Sequence, residues 1–129
     1  MNTRTSARPL ALLFIGLVVY ASLYPFTGWR AQGVSTLSWL LAPWPQYWTG
    51  FDFASNFLGY MPLGFLLAVS ALRSGSRRGA WGLGVGGPAA LSLVVESLQT
   101  FLPMRVPSNV DFCLNAAGGA LGAAIAVGL

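Results

Sequence analysis

The chain has no histidine, no lysine, a single cysteine and only three acidic residues, Asp52, Glu96 and Asp111, in 129 positions. Each scarcity removes a class of chemistry. Without histidine there is no Ser-His-Asp or Cys-His nucleophile arrangement, and zinc sites built on His and Cys cannot be assembled. Without lysine there is no Schiff-base chemistry. Cys113 has no partner for a disulfide within the chain, and inside an apolar run it reads as a small packing residue. No glycine-rich phosphate loop stands between a strand pattern and a helix pattern. Neither a metal nor a cofactor is expected, and an enzyme built on this chain would have to work with carboxyl groups.

Charge is scarce altogether. Charged residues make up 8% of the chain, against roughly 25% in soluble domains, while hydrophobic residues reach 55% and the mean hydropathy is +0.65. Four apolar stretches, 9–26, 51–72, 79–102 and 110–129, each approach the ~20 residues with which a helix crosses ~30 Å of hydrocarbon. The expected architecture is all-α: one integral membrane domain over residues 1–129, a four-helix bundle with no room for a soluble domain.

The seven arginines set its orientation. They form no stripe with interleaved aromatics, which argues against nucleic acid as a partner. Arg4 and Arg8 precede the first span, and Arg73, Arg77 and Arg78 lie between the second and third. Only Arg30 and Arg105 fall in the other loops. The positive-inside rule then places both termini in the cytoplasm. The first apolar run is read as a retained helix, because Leu23-Tyr24-Pro25-Phe26 follows it in place of a small-residue cleavage site.

The outer loop 27–50 holds Trp29, Trp39, Trp44, Trp48 and Tyr47. Such aromatics favour the headgroup level. Ser35 suits the cap of a short helix through Leu41 that Pro43 stops. An interfacial segment between spans one and two is expected, either a plain aromatic belt or a partial lid.

The second span begins with a capping-box pattern, Thr49-x-x-Asp52. Pro62 should kink it, and Gly59 and Gly64 should let another helix approach. In the third span Gly86-Gly87-Pro88 invites a kink, and Gly82 with Gly86 forms a small-xxx-small pair. The fourth span starts with a second capping pattern, Ser108-x-x-Asp111, and Gly118, Gly119 and Gly122 read as a packing face. That face can serve one bundle or a second copy, so the oligomeric state stays open. Residues 52–59 and 111–118 match at four of eight positions, each after a Ser/Thr cap. The two halves thus resemble a parallel repeat.

With this topology all three acids reach the outer ends of spans, level with Asn56, Gln99, Arg105 and Asn115. Helical spacing puts Asp52 with Asn56, Glu96 with Gln99, and Asp111 with Asn115 on shared faces. A charge at mid-membrane costs about 2.5–3.5 kcal/mol even on insertion scales. The economical solution is one polar pocket opening outward. Asp52 and Asp111 suit the first turn of a helix, where the dipole favours an anion. Glu96 lies near a helix C-terminus, where the dipole opposes it, so it wants a proton or a cation. Arg105 is the nearest cation in sequence. The expected binding set is Asp52, Asn56, Glu96, Gln99, Arg105, Asp111 and Asn115, with Glu96, Arg105 and Asp111 as the candidates for any catalysis.

The segments Tyr24-Pro25-Phe26, Asp52…Asn56-Phe57-Leu58-Gly59-Tyr60-Met61-Pro62-Leu63-Gly64 and Glu96-Ser97-Leu98-Gln99…Pro103-Met104-Arg105…Asp111…Asn115-Ala116-Ala117-Gly118 closely resemble the VanZ-like family. The resemblance covers nearly the whole chain in order and spacing. It implies a small multi-pass protein of the bacterial inner membrane, in a family whose founding member is associated with low-level resistance to the glycopeptide teicoplanin. It supplies no established reaction. Family members often carry further segments beyond the fourth span, where this copy has Leu129.

Three functions fit. One is a protein that binds or handles an amphiphile, a lipid-linked envelope precursor or a glycopeptide antibiotic, with its polar head in the pocket and its tail along Phe53, Phe57 and Phe112 among the membrane lipids. Another is a membrane-embedded hydrolase or transferase using Glu96, Arg105 and Asp111. The third is a structural or transport-associated membrane module, of which a proton-coupled transporter fits less well, because the cytoplasmic halves carry chiefly Gly, Ala and aliphatics.

Overall fold

A computed structural model of the chain describes residues 5–45 and 49–129. The expectations resting on Arg4, Tyr47 and Trp48 lie outside the described residues. Four α-helices follow one another: α1 Ala7–Leu23, α2 Gly50–Arg73, α3 Arg77–Gln99 and α4 Asn109–Gly128. A single 3-10 turn, Ser38–Leu41, lies in the loop between α1 and α2, and no strand occurs among the described residues. By length and composition α2, α3 and α4 are each able to cross a membrane. The 17-residue α1 is apolar but shorter, rising ~26 Å at 1.5 Å per residue. It stops at Leu23 rather than 26 because Pro25 has no N–H to continue the ladder. The peptide before Pro25 is cis, and Phe26 takes the left-handed conformation at φ 63°.

The helix ends follow from local sequence. The Thr49 side chain accepts from the Asp52 N–H, and the Asp52 carboxylate accepts from the Thr49 N–H, the full capping box. Ser76 caps α3 by accepting from the Gly79 N–H at 2.8 Å. Pro62 and Pro88 sit inside α2 and α3, which continue as unbroken helices on both sides of them. Gly86-Gly87-Pro88, where a kink is expected, thus lies within one continuous helix. α3 closes at Gln99, and a turn carries the chain through Thr100 and Phe101.

Small residues dictate how the helices meet. A Cβ on Gly118 would run into the Phe57 carbonyl, and one on Gly122 into the Met61 carbonyl. α2 and α4 thus run in the same direction at backbone contact. Gly64 and Gly119 likewise touch backbone to backbone. α3 runs the other way: Gly84 abuts Ala123, Pro88 abuts Gly119, and Ser92 bonds Asn115. Four residues forward in one helix match four back in the other. Ala68, Ala80, Ala123 and Ala126 form the core at the α2–α3 hairpin end.

Three packing expectations need correction. Gly82 and Gly86 meet nothing, because the contact face of α3 passes through Gly84 and Pro88 instead. Gly59 meets no other helix, whereas Gly64 does. Cys113 is exposed on the outside of the bundle and takes no part in the core.

The first helix attaches more lightly. Val18 packs with Tyr60 and Leu63. At its start, the Arg8 guanidinium donates to the hydroxyls of Ser70 at 3.3 Å and Ser74 at 2.8 Å. The beginning of α1 and the end of α2 therefore share one end of the bundle.

Candidate functional site

At the opposite end, two helix starts with the same sequence pattern are wired differently. On α2, Asp52 completes its own capping box: its N–H donates to Thr49 Oγ1 at 3.0 Å, and its Oδ2 accepts from the Thr49 N–H at 3.1 Å. On α4 the Asp111 N–H donates to Ser108 Oγ at 3.3 Å, but the Ser108 N–H donates to Glu96 Oε2 at 3.0 Å. Glu96 has taken the place that the pattern reserved for Asp111. Asp111 instead accepts at Oδ1 from the Asn56 amide at 3.2 Å, joining α4 to α2. Asn56 also donates to the Asp52 backbone carbonyl at 2.9 Å.

Gln99 and Arg105 serve another helix end. The last four carbonyls of a helix lack intrahelical donors. In α1 those of Tyr20 and Leu23 receive the N–H groups of Tyr24 and Phe26. The other two are reached from outside: Arg105 Nη2 donates to the Ala21 carbonyl at 3.1 Å and Gln99 Nε2 to the Ser22 carbonyl at 2.8 Å. A cation is favoured at such a terminus. Arg105 is thus drawn to α1, and it forms no ion pair with Glu96.

The described part of the loop between α1 and α2 packs against the α3 and α4 termini at this end. The Arg30 N–H donates to the Phe101 carbonyl at 2.9 Å and Gln32 Nε2 to that of Thr100 at 2.8 Å, closing the end of α3. The helical part of the loop is the 3-10 turn beginning at Ser38, shorter than the helix expected from Ser35. Asn109 Nδ2 ties it to α4 by donating to the Ala42 carbonyl at 2.7 Å. Trp39 is buried edge-on against Phe112, with ring centroids 5.8 Å apart. Phe112 is therefore packed against the loop and does not line the cavity at this end. Trp29 and Trp44 remain exposed.

At the same end lies a cavity of about 580 Å³. Asp52, Asn56, Glu96, Gln99, Arg105, Asp111 and Asn115 all line it, brought together from three helices and one loop. Apolar wall is supplied by Val18, Phe53, Val110 and Leu114. Glu96 makes its bond through Oε2, and among the described residues Oε1 has no hydrogen bond. No group of three or more His, Cys, Asp or Glu side chains is placed to hold a metal ion among the described residues.

Two residues that sequence reasoning did not single out lie at the depth of Asn115, Tyr60 in the cavity wall and Ser92 buried behind it. Tyr60 follows Asn56 by one turn, and Ser92 precedes Glu96 by one turn. Extending each polar face by the helical repeat would have found both. Asn115 Nδ2 donates to Ser92 Oγ at 2.9 Å, and its Oδ1 has no partner. Tyr60 Oη lies beside the Ser92 and Ser22 hydroxyls without a hydrogen bond of good geometry. Gly59 also faces the cavity, with open space where a Cβ would stand.

A family model described as VanZ/LLP1 matches residues 3–129, essentially the whole chain. No curated protein matches the chain. No solved structure matches it.

Proposed function

The chain belongs to the VanZ-like family of membrane proteins, and from that premise we propose that it binds or handles an amphiphile at the outer face of the bacterial inner membrane. The polar head of a lipid-linked envelope precursor or a glycopeptide antibiotic would enter the cavity, and its tail would leave along Phe53, Val110 and Leu114. Resistance to such antibiotics would follow from that handling. The observation that carries this reading is the convergence of seven polar side chains on one cavity that also has apolar wall. Asp52, Asn56, Arg105 and Asp111 keep part of their surface accessible, while Glu96, Gln99 and Asn115 are buried at the cavity wall.

Orientation follows from charge. Arg8, Arg73, Arg77 and Arg78 gather at the end away from the cavity, where Arg8 meets Ser70 and Ser74. The positive-inside rule makes that end cytoplasmic and turns the cavity outward. All four helices would then cross, with both termini inside.

Gly59→Leu is the direct test, since its side chain would stand in the cavity without displacing a neighbouring helix. Amphiphiles that co-purify with the protein should be identified by native mass spectrometry. A bound amphiphile lost from Gly59→Leu at unchanged thermal stability is the expected result. Identical lipid content in both proteins would rule the cavity out as the binding place.

A second reading keeps the same site and adds chemistry. The unengaged Oε1 of Glu96 is placed to act as a general base or acid on a head held by Arg105 and Asp111. Under that reading Glu96→Gln abolishes turnover of the bound amphiphile, whereas a binder loses only part of its affinity.

A further inference from the structure

Every acidic residue of the chain lines this one cavity. Three carboxyl groups therefore face a single guanidinium, and that guanidinium donates to the Ala21 carbonyl. Among the described residues no arginine forms an ion pair with any of the three. Their hydrogen bonds come instead from one backbone N–H each at Asp52 and Glu96, and from the Asn56 amide at Asp111. A carboxylate offers about four lone-pair sites, so most of the accepting capacity on the wall is unused. At the floor, Asn115 is only 2% exposed, one N–H of its amide goes to Ser92, and among the described residues its Oδ1 has no donor. A buried acceptor without a partner is rare in folded proteins and calls for an explanation. Among the described residues, few donors reach the carboxyl oxygens of this cavity.

We propose that the head taken by this cavity is that of a lipid carrying a protonated primary amine. The ammonium lies between Glu96 and Asp111 above the floor at Asn115, and the adjoining phosphate lies toward Arg105. A primary ammonium brings three N–H donors and one positive charge, which answers both deficits. A quaternary ammonium brings the charge without the donors and is normally read by an aromatic cage. Among the described residues the aromatic side chains on this wall are Phe53 and Tyr60. A head with phosphate and no amine would set its charge against three carboxyl groups. This inference rests on the amphiphile reading and adds the chemistry of the head.

The full chain in micelles doped equally with phosphatidylethanolamine, phosphatidylcholine and phosphatidylglycerol of identical acyl chains provides the test, with bound lipid counted by native mass spectrometry. The ethanolamine lipid should be retained about tenfold over each of the others. Glu96→Gln and Asp111→Asn, which keep shape and remove charge, should each erase most of that preference. Gly59→Leu should remove bound lipid of every kind. Equal retention of the ethanolamine and choline lipids would overturn the proposal, because they differ in N–H donors and not in charge. Preference for the glycerol lipid would overturn it too. In either case, loss of that lipid in Gly59→Leu would leave the amphiphile reading standing. Lipid retention unaffected by Gly59→Leu would defeat both.

Discussion

Glu96, one turn from the end of α3, accepts a hydrogen bond from the backbone N–H of Ser108 at the start of α4, 3.0 Å away. The relationship answers an electrostatic problem. The carboxyl group is disfavoured by the C-terminal dipole of its own helix and favoured by the N-terminal dipole of the next. It also leaves Asp111 unneeded for capping and directed to Asn56 across the cavity.

Glu96→Gln keeps an oxygen for the Ser108 N–H, whereas Glu96→Ala does not. Glu96→Ala should therefore destabilise the protein by about 1–2 kcal/mol, the range for a lost helix cap, and Glu96→Gln should stay close to the parent. Thermal unfolding in detergent, followed by tryptophan fluorescence, compares them. Equal melting temperatures for the alanine variant and the parent would contradict a capping role.

The glycines of α4 and α3 should respond in opposite ways. Gly118→Ala and Gly122→Ala drive a methyl into the Phe57 and Met61 carbonyls, and backbone cannot step aside as a side chain can. Both should lower the yield of monodisperse protein severely. Gly82→Ala and Gly86→Ala meet only open space and should gain about 0.5–1 kcal/mol from helix propensity. Size-exclusion profiles and melting curves measure both effects.

Arg105→Ala removes a donor from the end of α1. Because Arg105 is only partly buried, the loss should be modest, about 1 kcal/mol, and local. Hydrogen exchange should rise over residues 20–32 and stay unchanged in α2 and α4. Exchange rising throughout the protein would point to a global role for this residue.

Topology is testable with single cysteines. Cys113 lies on the outside of the bundle, so Cys113→Ala should shift stability by less than ~0.5 kcal/mol and provide a clean background. In it, Thr36→Cys should react with a membrane-impermeant maleimide on intact spheroplasts, and Arg78→Cys only after permeabilisation. The reverse pattern would turn the cavity toward the cytoplasm.

Much of this protein is written locally. Apolar run length sets the number and approximate extent of the helices, and Ser/Thr followed by Asp three residues later marks where α2 and α4 begin. The absence of histidine and lysine limits the chemistry to carboxyl, carboxamide and guanidinium groups. Spacing within a helix places Asp52 with Asn56 and Asp111 with Asn115, since residues four apart share a face whatever the helix packs against.

Partners across helices were decided elsewhere. The Ser108-x-x-Asp111 pattern is as good a capping box as Thr49-x-x-Asp52, yet only the second closes on itself, because α3 ends where Glu96 can reach the Ser108 N–H first. Arg105 was the nearest cation to Glu96 along the chain, but two open carbonyls at the end of α1 drew it and Gln99 away. Gly82 and Gly86 have the same spacing as Gly118 and Gly122, and only the latter pair meets another helix. Sequence determines which groups must find partners, because helix geometry and the low dielectric of the membrane make an unsatisfied group costly wherever it lies. Which partner each one finds depends on the register of helices packed at backbone contact, and that register exists only once all four have assembled.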